Sequence, residues 1–168
     1  MKYPEPAQLC RDLAQLIGTR IVRLSRVVVW VDGERFELLD SLLIEAARDD
    51  RTLTLQVSSD GQRQHSAWVF DGKYSMQGEW SDRERDELAT TYDALVPFVA
   101  DTIRAVWDVD LQTEQEVLIG VLIGAAGETK LCLNVDTDDV TVCSPSALWE
   151  YVGHVLPRPG SELRVTPI

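Results

Sequence analysis

Two stretches of this chain are written to one pattern, and that repetition limits the possible folds more than any other feature. Leu131 to Asp139 reads LCLNVDTDD, and Leu53 to Asp60 reads LTLQVSSD; the two align without a gap. Leu53, Leu55, Val57 and Asp60 fall on Leu131, Leu133, Val135 and Asp138. In both, alternating apolar residues run straight into a polar turn, the pattern of a half-buried strand. Upstream, SLLIEAA (Ser41 to Ala47) falls on GVLIGAA (Gly120 to Ala126), and LAQLIGTRIVRL (Leu13 to Leu24) on LVPFVADTIRAV (Leu95 to Val106). The offset drifts by a few residues between segments, as loops of unequal length would make it. Self-similarity of this kind points to tandem duplication of a helix–strand–strand–strand unit. The expected architecture is a single α+β domain over 1–168, with internal repeats at about 7–72 and 88–156. Its antiparallel sheet should carry helices on one face, with a pseudo-twofold axis relating the halves.

Local signals fill in the order of elements. Pro4 and Pro6 open a helix with Leu9, Leu13, Leu16 and Ile17 on one stripe, and Gly18 is placed to end it. Ile21 to Val31 is a β-branched run, and Asp32-Gly33 is the strongest short hairpin signal in the chain. Phe36 to Ala47 returns as a strand broken near Asp40-Ser41; Thr52 to Ser58 and His65 to Phe70 follow, with Trp68 and Phe70 expected in the core. Such short connections imply antiparallel order. Ser81-Asp82-Arg83-Glu84 is a capping box, so a helix is expected through Leu88, Tyr92 and Leu95, kinked or split by Pro97. The second unit then repeats the strands as Ile103–Val109, Val117–Ala125, Thr129–Val135 and Val140–Cys143, with a hairpin at Gly124 to Gly127. Ser144-Pro145 caps a last helix through Leu148, Trp149 and Val152, and Leu163 to Val165 suits an edge strand.

Charge narrows the partners. The net charge is −12, and it is unevenly spread: residues 85–168 hold 14 acidic against 5 basic side chains, residues 1–84 hold 14 against 11. Such a field repels nucleic acid and anionic membrane and steers cationic partners inward. Acidity also keeps proteins soluble, which explains the sign without any partner. No apolar run approaches the roughly 20 residues of a membrane span. MKYPEPAQLCRDL has prolines and charges where a signal peptide needs an apolar core, so a cytoplasmic location is expected. Cys10, Cys132 and Cys143 are odd in number and make no Cys-x-x-Cys pair; reduced structural thiols fit that compartment.

Five groups of residues could carry chemistry. Asp136, Asp138 and Asp139 place alternate carboxylates in a turn, as calcium loops do, but the glycine of the bend and the glutamate twelve along are missing. A carboxylate-rich β-turn that accepts its own backbone N–H groups explains the stretch as well. Asp108, Asp110, Glu114 and Glu116 form a second acidic cluster, read either as a solvated strand end or as a surface for Lys and Arg. The glycines between Gly120 and Gly127 lack the Lys-Ser/Thr and the following helix of a phosphate loop. His65 and His154 have no carboxylate or thiol partner in sequence, and no Gly-x-Ser-x-Gly occurs, so nucleophilic catalysis has no support. Tyr74, Met76 and Trp80 lie in an aperiodic loop, where aromatics serve either as a satellite core or as interface anchors.

An Ile-x-x-Val strand, the LLIEAA strand and the LTLQV strand ending in an acidic turn resemble small bacterial proteins, among them immunity proteins that accompany polymorphic toxins. The likeness spans Leu13 to Asp60 and Leu95 to Asp139. It implies a non-catalytic inhibitor of a basic partner, a toxin or effector, and it assigns no residue a role. The expectation is therefore an acidic binding protein without cofactor, metal or catalytic residue, binding neither nucleic acid nor membrane, as a monomer or homodimer. Asp108, Asp110, Glu114, Glu116, Asp136, Asp138 and Asp139 would supply charge, with Tyr74 and Trp80 as apolar anchors. Two other classes stay open: an acidic secretion chaperone or adaptor, and a metal-dependent enzyme using the Asp136–Asp139 turn.

Overall fold

The structure, a computed structural model, describes residues 5–59, 65–71, 87–90, 92–155 and 158–168. Pro6 fixes the first turn of helix α1 (Pro6–Ala14), which buries Leu9 and Leu13. β1 (Arg20–Val31) turns at Asp32 and Gly33, both at positive φ (51° and 83°), into β2 (Glu34–Glu37). That is the two-residue primed turn whose twist suits a hairpin. β3 (Ser41–Arg48), β4 (Arg51–Ser59) and β5 (His65–Asp71) continue as an antiparallel meander. β6 (Glu87–Thr90) and β7 (Phe98–Val99) also pair with β1. Val28 lies between Glu37 and Glu87, and Ser25 between Leu43 and Thr90. β2 and β3 therefore follow one another along one edge of β1, broken near Asp40 as the sequence indicates, and β6 and β7 line the other.

The second sheet is built from β8 (Thr102–Asp110), β9 (Glu116–Ala125), β10 (Glu128–Asn134) and β11 (Thr141–Val142), again an antiparallel meander. Ala126 and Gly127 (φ 52° and 79°) make its second hairpin. Helix α2 (Pro145–Val155) follows, capped by Ser144, whose hydroxyl accepts the Ala147 N–H at 3.1 Å. The chain then returns as edge strand β12 (Ser161–Pro167) beside β8.

Inward residues of both sheets belong to one apolar cluster. Leu24, Ile44 and Leu55 come from the first sheet, Ile103, Val121 and Leu133 from the second, and Leu9, Leu13 and Leu16 from the α1 segment. Each fully buried side chain of this size contributes about 1.5–3 kcal/mol of transfer free energy. α1 touches β5 of the first sheet and β8 and β9 of the second, tying the layers together. The fold is α+β with strand content dominant. Among the described residues no helix is long and apolar enough to cross a membrane.

Two expectations need correction, and one difference between the halves adds to them. The pattern through Leu88, Tyr92 and Leu95 does not form a helix: the chain makes β6, a 3₁₀ turn at Asp93–Leu95 and β7, with a cis peptide at Val96-Pro97. The unpaired edge of β1 from Ser25 to Val28 offers backbone partners, and sheet pairing outweighs a weak local helical preference. The helices do not share a face of one sheet. α1 joins the inter-sheet cluster, whereas α2 sets Leu148 and Val152 on the outer face of the second sheet, against Val106, Ile119, Leu122 and Cys132. The strand VLIGVLIGA is apolar on both faces, so it needs a cover on each. Gly120 permits the close approach, since a Cβ there would stand 2.9 Å from Leu133 O and from both Leu148 methyl groups. The two meanders differ in register. Leu55 pairs with Ile44, but its sequence counterpart Leu133 pairs with Val121 and not with Ile123. The slip is two residues, which preserves the buried face.

Candidate functional site: the acidic end of the second sheet

The topology brings the two acidic stretches to the same end of one sheet. β8 ends at Asp110 and β9 begins at Glu116, while β10 ends at Asn134 beside Gly120. Val135 N–H then donates to Ile119 O at 2.8 Å, so the turn after β10 lies beside the first residues of β9. Asp110, Glu114 and Glu116 thus share an end with Asp136, Asp138 and Asp139.

The Asp136–Asp139 turn is fixed from several directions. Asp136 N–H donates to Asn134 Oδ1 (3.0 Å), and Tyr151 O–H of α2 donates to Asp136 Oδ2 (2.9 Å). Thr137 O accepts the Ser59 hydroxyl at 2.7 Å, a bond from the first sheet, and Thr137 Oγ1 donates to Asp139 O at 2.6 Å. Val140 N–H donates to Leu39 O (2.9 Å), and Val140 O accepts buried Arg26 Nη2 (2.5 Å). Arg26 Nη1 reaches Leu39 O and Ser41 O at 3.0 and 2.7 Å, locking the β2–β3 break to the turn. With the backbone held, Asp138 and Asp139 remain exposed on a preset frame.

Asp40 joins this end from the first sheet, an addition that sequence separation hides. Asp40 is exposed as a residue, but its carboxyl titrates above the usual aspartate range because of desolvation by neighbouring atoms first, and the Asp139 charge second, against opposing help from its own backbone N–H and Arg26. The raised value means the folded state holds this proton more tightly. Its contribution to stability is fully present below the unfolded pKa and is lost as pH rises through the folded one. Asp139→Asn should therefore bring the Asp40 titration down toward that of an ordinary aspartate in a carboxyl NMR titration. An unmoved midpoint would show that the two carboxylates do not sense each other.

The other cluster divides into different roles. Asp108 is buried at 5% exposure, flanked in register by Val117 of β9 and Leu163 of β12, so it is not the solvated strand end that its charge suggests. Asp110 is exposed and caps its own turn: Oδ1 accepts Thr113 N–H (2.7 Å) and Gln112 N–H (2.8 Å). The Thr113 bonds, then that of Gln112, hold its carboxyl below the usual range. Glu116 pairs with Arg164 at 2.7 Å, and Arg164 also reaches Glu162 at 3.2 Å. Glu114 is exposed at φ +59°. Asp108, Asp110, Gln115 and Val117 face Arg158 to Ser161 across an open cavity of about 200 Å³, so charges of both signs line it.

Tyr74, Met76 and Trp80 lie outside the described residues, as does the Ser81–Glu84 capping box. In backbone register Trp68 is opposite Gln56 and Phe70 opposite Thr54, while the core residue Leu55 is opposite Val69. Among the described residues no three His, Cys, Asp or Glu side chains converge as metal donors. Arg26, Ser59, Asn134 and Tyr151 are the supporting residues that sequence reading passes over; Arg26, which alternates in phase with Leu24 and Val28 inside an apolar β-run, was the one available signal. Compared with models of known families, with curated proteins and with solved structures, the chain matches none.

Proposed function

We propose that this chain is a non-catalytic acidic binding protein, an inhibitor of the immunity-protein kind that occludes a basic protein partner such as a toxin in the cytoplasm. The observation that carries the reading is the gathering of Glu114, Glu116, Asp138 and Asp139 at one end of the second sheet, on turns anchored by the fold itself. A preset array of carboxylates meets cations with little ordering cost. Charge of this kind chiefly speeds encounter and selects the partner. Among the described residues Glu114, Asp138 and Asp139 are the charges of the array without an ion-pair partner, since Glu116 is already paired with Arg164. Tyr74 and Trp80 are the apolar anchors of this proposal.

The finer architectural reading belongs here too: the meanders β1-β3-β4-β5 and β8-β9-β10-β11 are proposed to descend from one duplicated unit, related by a pseudo-twofold axis. Two contacts support it. Gly18 N–H donates to Ala100 O, and the Ser59 hydroxyl to Thr137 O, and each bond joins residues that the sequence alignment makes equivalent. Equivalent residues meet where a twofold axis passes.

The test is capture from host lysate with the wild-type chain and with Glu114→Lys/Asp138→Lys/Asp139→Lys. A basic protein held by the wild type at moderate salt, and inactive while bound, should associate with the variant about 10- to 1000-fold more slowly. Equal capture by both chains would remove the acidic end from the interface.

A further inference from the structure

We propose that Cys132 and Cys143 form a site of reversible oxidation, a cross-strand disulfide that clamps the acidic turn between β10 and β11. Leu133 pairs with Val142, so the next residues out, Cys132 and Cys143, stand directly opposite each other. Cys143 N–H donates to Cys132 O at 3.0 Å, which carries the antiparallel pairing one step past β11 with one of the two bonds of a hydrogen-bonded pair. Such pairs hold their Cα atoms about 5.5 Å apart, inside the range a disulfide spans. The two Sγ atoms already touch at 3.8 Å, on the α2 side of the sheet. Rotation about the two Cα–Cβ bonds is the kind of movement needed to reach bonding distance. The third thiol, Cys10, packs on α1 against the inter-sheet cluster and does not compete.

The two thiols differ in access. Cys143 is half-buried, whereas Cys132 is 2% exposed. A low-molecular-weight disulfide such as oxidised glutathione therefore reacts first at Cys143. The Cys143 thiolate attacks one sulfur, forms a mixed disulfide, and releases one glutathione thiol. Cys132 gives up its proton and attacks the Cys143 sulfur, closing the protein disulfide and releasing the second. Two protein thiols lose two electrons, and one small disulfide gains them. Burial first, and then Cys143, push the Cys132 thiol up to about 12. The thiolate is the nucleophile, so closure is slow at neutral pH and quickens as pH rises. The closed ring holds Leu133 to Val142, including Asp136 to Asp139, and it forms whether or not that turn meets a partner.

The experiment treats the full chain with excess oxidised glutathione at about pH 7 and pH 9, followed by denaturing alkylation and peptide mass mapping. A linked Cys132–Cys143 peptide, lighter by two hydrogens, is expected, forming faster at the higher pH and reversed by dithiothreitol. By the loop-closure relation the oxidised chain should melt about 5–10 °C higher. Cys143→Ser should form no internal link, while Cys10→Ser should behave as the wild type. The proposal is overturned if the folded chain stays reduced while the urea-unfolded chain oxidises. It is equally overturned if a glutathione adduct persists on Cys143 at about pH 9, or if Cys10 is the residue that becomes linked.

Discussion

Replacing Arg26 by methionine should lower the unfolding free energy by about 3–5 kcal/mol, a loss visible as a urea midpoint shift at unchanged slope. Methionine keeps the apolar stem, so no large cavity opens and the loss isolates the guanidinium. Arg26 as a whole is 4% exposed, and its guanidinium donates to Leu39 O, Ser41 O and Val140 O. Leu39 O retains the Val140 N–H, but Ser41 O and Val140 O lose their side-chain donor. Hydrogen bonds from a charged group contribute about 1.5–3 kcal/mol each, and a buried acceptor left without its donor costs about 1–3. For a chain of this length the melting temperature would fall by about 6–20 °C. Arg26→Lys should recover less than half, because one ammonium cannot fork among three carbonyls in the geometry of the planar group. A methionine variant within about 1 kcal/mol of the wild type would mean that water or a shifted backbone replaces the lost donor.

The parts of this fold that are legible in the sequence are those decided within a few residues. Asp32-Gly33 and Ala126-Gly127 both take positive φ, and their strands meet at two-residue turns. Ser144 caps α2, and Leu163 to Val165 lies within edge strand β12. What local reading misses is decided far along the chain. Leu88 pairs with Val27, about 60 residues away, and nothing in the local pattern records the open edge of β1. The match of SLLIEAA to GVLIGAA is similarly persuasive in letters but two residues off in register. A shift of two leaves the alternation intact, so periodicity is blind to it.

The same division runs through the candidate site. The acidic turns themselves stand out in the sequence, because clustered aspartates and glutamates do. Their rigidity does not, since it comes from Arg26, Ser59 and Tyr151, each remote in sequence from the turn residues it holds. Asp108 shows the opposite error. Charge and alternation place it with Asp110 at a wet strand end, but β12 lies on its far side and buries it. The return of residues 161–167 beside β8 is a long-range event, invisible in the spacing of two aspartates.

Leu148→Ala and Ile123→Ala should each cost about 2–5 kcal/mol, yet unfold the molecule differently. Both side chains are fully buried, but they stand in separate apolar clusters. Ile123 belongs to the cluster that spans both sheets and α1, so its truncation removes contacts from the whole and should lower amide protection globally. Leu148 holds α2 to the outer face with Val152 over Val106, Ile119, Leu122 and Cys132. Its truncation should release α2 first, since a short helix has little stability apart from its apolar face. Tyr151 would then lose its place beside Asp136, and the turn would lose one of its anchors. Native-state hydrogen exchange separates the two cases. In Leu148→Ala, protection should fall in Pro145–Val155 and at Asp136 well below that of β3 and β4, whereas in Ile123→Ala all four should fall together. Equal loss everywhere in Leu148→Ala would mean that α2 is cooperative with the inter-sheet core. The acidic turn would then be as stable as the fold, and Tyr151 would not control it separately.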